Sequence, residues 1–214
     1  MGALSGETGS PLTGSIRILG SNAMGLNPTA RRSLGAVFVP EERIGHAAVA
    51  DMTLVDNSYL TGDTRMNFSR RGLIDWPAVT RFAQKVVQDF DVRTTGVDAL
   101  ASSLSGGNLQ KFIVGREILQ QPSLLVVSQP TWGVDAGAAA AIHEEIQRLV
   151  SAGAAVLMIS QDLDEVFLLS HRIAVISQGT LSAAMAIDKI TPEDIGLLMG
   201  IRHEVQPEAD HVTA

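Results

Sequence analysis

The residues best suited to chemistry form one short run, LSGGNLQK at positions 104–111. Ser105, Gly106 and Gly107 stand directly before a segment with helical patterning. The first N–H groups of a helix have no intrahelical acceptor, and the helix dipole adds partial positive charge there, so this arrangement suits a phosphate. An ordinary Ser-Gly-Gly loop closing a helix cap is the other reading of the same residues. A second phosphate-binding pattern, GxxxxGK[ST], encloses phosphates in backbone amides and reaches the β and γ oxygens with its lysine. It occurs nowhere in the 214 residues, and neither does any Gly-Lys pair. His46, His143, His171, His203 and His211 lack zinc-ligand spacing and the chain has no cysteine, so no metal site is read from the sequence.

Several elements must position that run. SIRIL at 15–19 alternates and stops at Gly20, which predicts a short strand; LGAVFV at 34–39 predicts a buried strand ended by Pro40. Residues 41–75 are irregular and read as surface loop with short helices. In 76–90, Val79, Phe82, Ala83, Val86, Val87 and Phe90 recur at helical spacing, predicting an amphipathic helix. The run at 105–121 predicts a helix that Pro122 closes. LLVV at 124–127 and AAVLMI at 154–159 are apolar runs of the kind buried in parallel sheets, with a helix predicted between them at 136–151. Asp162 is placed to cap a short helix through Leu169, and RIAVI at 172–176 predicts another strand before a turn at Gln178-Gly179. The succession predicts an α/β fold with a mainly parallel sheet and right-handed crossovers.

Composition agrees. Hydrophobic residues make up 45% and aromatics 4%, so the core is built from Ala, Val, Leu and Ile, which suits helices packed on a sheet. The length allows one large domain burying roughly 70% of its unfolded surface. A formal charge of -7 without any basic run argues against nucleic acid as a partner. No stretch approaches the roughly 20 apolar residues that cross a bilayer, so no direct membrane insertion is expected.

After the LSGGNLQK run come SLLVVSQPTWGVD at 123–135 and AAVLMISQDLDEVFLLSHRIAVISQGTL at 154–181. Their order and spacing resemble the ATP-binding-cassette (ABC) family. LSGGNxQK with QPTWGVD resembles the second cassette of double-cassette importer ATPases for simple sugars and nucleosides. The resemblance runs from about residue 14 to about residue 200. It implies a P-loop NTPase-like cassette over 1–204 with a small helical subdomain at about 51–121, followed by a flexible tail at 205–214. It also implies that Ser105, Gly106 and Gly107, completed by Asn108 and Gln110, contact the γ-phosphate of an ATP held mainly by a partner cassette. Asp135 falls at the family's D-loop aspartate, and by itself reads as an N-cap for the next helix.

Departures from the family pattern carry as much meaning. Where the family ends a strand with Asp-Glu, this chain has Ser128 and Gln129; where it has a histidine after the next strand, this chain has Gln161. A neutral hydroxyl supports Mg²⁺ less well than a carboxylate. An amide cannot accept a proton near neutral pH, and general-base catalysis is commonly worth about 10²- to 10⁴-fold. Glu41 in VPEER aligns with the family's loop glutamine, where a membrane subunit docks; by itself it reads as part of a solvated turn. ALSGETGSPLTG resembles the stretch just after the family's phosphate loop, which implies a chain beginning downstream of that loop and of the first strands.

The expectation is therefore an ATP-binding importer subunit that works with ATP and Mg²⁺ in a composite site but hydrolyses little ATP alone. A complete cassette and transmembrane permease subunits are the implied partners, at the cytoplasmic face of the plasma membrane. The alternative is a regulatory or scaffolding pseudo-ATPase of cassette fold. A cassette of the DNA-repair type needs long heptads or a basic face, and the sequence contains neither.

Overall fold

The computed structural model describes residues 1–8 and 13–200. They form two compact units, Met1–Gln161 and one beginning at Asp162.

The first unit is organised on a parallel sheet in which β1 (Ala36–Val39), β2 (Leu124–Ser128) and β3 (Ala155–Ile159) lie in that order. The register pairs Val37 with Leu125 and Val39 with Val127 on one side of β2, and Ser128 with Ile159 on the other. Val37, Val39, Leu125 and Val127 are fully buried. Burial of such side chains contributes roughly 1.5–3 kcal/mol each, which is why uninterrupted apolar runs become the sheet's interior. Phe38, Ala36 and Val126 pack with Ile18 and Ala23, and Met1, Leu4 and Leu26 close over them. Among the described residues β3 pairs with β2 alone, and Leu157 and Ile159 on it remain exposed.

Four longer helices belong to the same unit, α1 (Leu54–Met66), α2 (Trp76–Asp89), α3 (Gly106–Ile118) and α4 (Ala136–Ser151), with α3 on β1 and α4 on β3. The expected helices at 76–90, 105–121 and 136–151 are present with ends shifted by at most a few residues. On α2 the buried face is Val79, Phe82, Ala83 and Val86, matching the sequence periodicity. Asp75 starts that helix by accepting the Ala78 N–H at 3.0 Å, with Pro77 in the first turn where no N–H is needed. Helix α3 packs on β1, α1, α2 and α4 and is buried continuously from Leu109 to Ile118.

Two local expectations are corrected. Residues 41–75 are not loop with short helices alone, because α1 is 13 residues long. A capping box starts it: the Thr53 hydroxyl accepts the Asp56 N–H at 3.0 Å and the Asp56 carboxylate accepts the Thr53 N–H at 3.2 Å. Its buried set includes Asn57, Ser58 and Gly62, so no apolar stripe announces it. The Asn57 amide bonds the Val49, Met52 and Thr53 carbonyls at 2.9–3.2 Å and is fully satisfied in the interior. The strand expected at 172–176 is the second correction: Arg172–Ile173 pairs antiparallel with Met185–Ala186, and Ile176–Ser177 pairs antiparallel with Thr180–Leu181. Both pairs belong to the second unit, whose core is Ile173, Val175, Ile190 and Ile195. That unit also contains α5 (Leu163–Leu169), capped as expected by Asp162, and α6 (Pro192–Gly200). The tail assigned to 205–214 lies outside the described residues.

Candidate functional site

The LSGGNLQK run, hereafter the signature, sits at the start of α3. Ser105 is the N-cap, in extended conformation, yet its side chain makes no capping bond; its hydroxyl oxygen instead accepts the Asn108 amide at 2.8 Å. Asn108 in turn accepts the Arg93 N–H at 2.9 Å, which fixes the loop against the chain leaving α2. The first intrahelical bond runs from the Leu109 N–H to the Ser105 carbonyl at 2.9 Å, so the N–H groups of Gly106, Gly107 and Asn108 lie ahead of the helix's own acceptors. Ser105 and Gly106 are exposed and Gly107 is half-buried. The loop is thus pinned by side chains while its leading N–H groups have no acceptor within the helix, the arrangement an anionic oxygen needs.

Gln110 is buried and points to the strand ends. Its amide donates to the carbonyls of Gln129 at 3.1 Å and Pro130 at 2.9 Å. Its oxygen accepts the Nε–H of Arg43 at 2.9 Å. The same guanidinium donates to the Gly106 carbonyl at 3.2 Å and to the Trp132 carbonyl. Ser128 and Gln129 close β2 and are both buried. Gln129 holds a left-handed backbone with φ 51°, an uncommon conformation for a non-glycine residue, and its N–H is tied to the Ile159 carbonyl at 2.8 Å. Its side-chain oxygen faces the Gln161 N–H at 3.5 Å, a contact at the outer limit of a hydrogen bond. The structure therefore brings Ser128, Gln129 and Gln161 together and links them to the signature through Gln110.

Asp135 is exposed and caps α4 by accepting the Ala138 N–H at 3.0 Å. That backbone bond holds its carboxyl below the usual carboxylate range. Glu41 lies exposed in a bend and outside this network; its neighbour two positions on, Arg43, enters it. Exposed Trp132 contributes its carbonyl to the network.

At the other end of α3, Arg116 and Glu117 are fully buried. Arg116 bonds the Ala47 carbonyl at 2.8 Å, the Asn57 carbonyl at 3.0 Å and Glu117 at 3.0 Å. Glu117 also accepts from Arg32 at 2.8 Å. Burial pushes the Glu117 carboxyl up, but Arg32 and Arg116 together hold it below its ordinary value. These residues and Arg43 escape sequence reading because adjacent opposite charges, or an arginine beside two glutamates, look like solvated surface.

The donor set fits a phosphate better than a metal. Exposed amides and a hydroxyl at Ser105–Gly107 suit an anion, whereas Ser128 and Gln129 offer a cation only neutral oxygens. No cluster of three or more potential metal ligands occurs among the described residues.

No family model matches the chain. It is 37% identical over 187 residues to the nucleoside import ATP-binding protein NupA of Lactococcus lactis, covering 87% of this chain and 37% of that protein. It is 35% identical over 187 residues to the guanosine import ATP-binding protein NupO of Bacillus subtilis, again covering 87% and 37%. The chain belongs to the ATP-binding-cassette family. This cassette also superimposes on an ABC transporter's ATP-binding subunit with a TM-score of 0.74 at 16% identity, covering 94% of this chain and 81% of that one. A dimeric ATP-binding cassette in a post-hydrolysis state, bound to ADP and Pi, gives a TM-score of 0.72 at 17% identity, covering 87% and 78%. The α/β cassette fold expected from the sequence is thereby confirmed. The cassette spans 37% of the length of these curated relatives.

Proposed function

We propose that this cassette supplies the signature half of a composite ATP site in an importer of simple sugars or nucleosides. The observation that carries the reading is the set of N–H groups at Gly106 and Gly107, beside the exposed Ser105, which neither the helix nor a side-chain cap uses. The names of the relatives, importers of nucleosides and guanosine, support the transport class and the permease subunits as partners. The dimeric neighbour bound to ADP and Pi supports a second, complete cassette as the holder of the nucleotide. Ser105 and the following amides then meet the γ-phosphate of ATP bound with Mg²⁺ by that partner. The cassette's work is done at the cytoplasmic face of the plasma membrane, through its docking partners.

Its own half-site is degenerate. Gln129 can orient a water through its amide, but it cannot take the proton, and Ser128 cannot balance the charge of Mg²⁺. The rate loss from missing general-base catalysis alone is about 10²- to 10⁴-fold. The test is ATP turnover by the purified chain with Mg²⁺, alone and mixed with a complete cassette of the nucleoside-import class. Negligible turnover alone, and a mixed activity that Ser105→Ala lowers by at least tenfold, is the expected result. Brisk turnover by the chain alone that Ser105→Ala abolishes overturns the degenerate half-site. A mixed activity indifferent to Ser105→Ala overturns the shared site and leaves a scaffolding role for the fold.

A further inference from the structure

Arg43 is the side chain that the sequence pattern and the proposed site leave without a role. It follows β1 by a few residues, in a segment whose two glutamates are exposed. Yet its guanidinium reaches three separate places: Gln110 within α3, the Gly106 carbonyl at the head of α3, and the Trp132 carbonyl in the turn after β2. All three acceptors are neutral. A guanidinium used for surface charge pairs with carboxylates; one spent on carbonyls and an amide fixes geometry, because its donors form a rigid planar fork.

The surroundings are cut to fit it. A Cβ at Gly106 would lie 2.9 Å from Arg43 Nη1, and a Cβ at Gly133 would lie 3.1 Å from Nη2. The signature and the turn also touch directly, since a Cβ at Gly107 would lie 3.1 Å from the Gly133 carbonyl oxygen. Gln110 extends the chain of bonds onward to the carbonyls of Gln129 and Pro130.

We infer that Arg43 is a positioning residue that locks the segment after β1, the signature loop and the turn after β2 into one body, so that a displacement of the first is delivered to the loop facing phosphate. What is delivered rests on the shared-site reading above; the lock itself rests on the geometry alone. A lysine cannot replace it, for a single ammonium on a flexible stem cannot hold three acceptors spread over α3 and the turn after β2.

The experiment compares Arg43→Ala and Arg43→Lys with the unaltered full chain. By hydrogen exchange, the amides of Leu109, Trp132 and Val134, each backbone-bonded here, should exchange at least tenfold faster in both variants. The amides of Val126 and Val127 in β2 should keep their rates, which separates local loosening from general instability. In the mixture with a complete cassette, both variants should lower kcat at least fivefold while KM for ATP changes less than twofold. Exchange unchanged in Arg43→Ala, or Arg43→Lys matching the unaltered chain in both assays, overturns the inference. If Ser105→Ala lowers mixed turnover and Arg43→Ala does not, the inference falls and the shared site stands. If Ser105→Ala is silent, the shared site falls, and the exchange arm decides Arg43 by itself.

Discussion

Replacing Glu117 with glutamine tests whether the buried charges at the far end of α3 hold the first unit together. Glu117 is fully buried between Arg32 at 2.8 Å and Arg116 at 3.0 Å. The substitution keeps volume and one acceptor oxygen but leaves the fully buried Arg116 cation uncompensated. Arg116 retains its bonds to the Ala47 and Asn57 carbonyls, so the cost falls toward the lower end of the range for breaking a buried pair, about 3 kcal/mol of about 3–5. With a urea dependence of about 1–3 kcal/mol/M, the unfolding midpoint drops by roughly 1–3 M. Trp76 and Trp132 both lie in the first unit, so tryptophan fluorescence reports that unit specifically. The pH dependence has a definite sign. Glu117 titrates lower in the folded state than unfolded, so its contribution is present above the unfolded value of about 4.3 and is lost as pH falls through the folded value. The gap between the two proteins should hold from pH 7 to pH 5 and narrow below about pH 4. A midpoint within 0.5 M of the unaltered protein, roughly the effect of an exposed pair such as Lys85–Asp89, refutes the reasoning. So does a gap that stays constant down to pH 3.

Gly115→Ala should destabilise the first unit by about 1–3 kcal/mol, because its Cβ would stand 2.5 Å from the Phe90 ring; the urea midpoint measures it, and Phe90→Leu should restore part of the loss. The edge of β3 that is unpaired among the described residues, uncharged and with Leu157 and Ile159 exposed, should drive concentration-dependent self-association in sedimentation velocity. Leu157→Lys should suppress it, and a monomeric profile of the unaltered chain at high concentration counts against the edge as its cause.

Much of the scaffold was legible because burial and periodicity coincide. Helices α2 and α4 carry apolar stripes and aspartate caps, and β1 and β2 are buried apolar runs bounded by turn residues; β3 forms where its apolar run predicts a strand, but its residues are exposed or half-buried rather than buried as expected. Helix α1 was not legible, since its interior face includes Asn57 and Ser58, which satisfy backbone carbonyls, and Gly62, which makes room for the Phe68 ring. Thr53 and Asp56, three apart, were the one available signal. The strand at 172–176 looked like β2 and β3 in composition, but Ile176 finds an antiparallel partner across one turn, and Arg172–Ile173 find theirs beyond that hairpin at Met185–Ala186. In the site, motif order marked Ser105–Gly107, Gln129 and Gln161, and the structure puts them on one connected network. The network's hub, Arg43, was invisible because its partners are carbonyls, which every sequence contains.

Helix α3 can also be regarded as a machine part. Its far end is clamped in the interior by Arg116 and Glu117, while its near end carries the signature and is gripped through Gly106. From the clamp at Arg116 to Gly106 the helix runs about 15 Å, so a tilt of roughly 5° about the clamp sweeps the tip through about 1.3 Å. That sweep exceeds the tolerance of a hydrogen bond, so a pivot of this size would make or break bonds at the tip while the far end stays fixed.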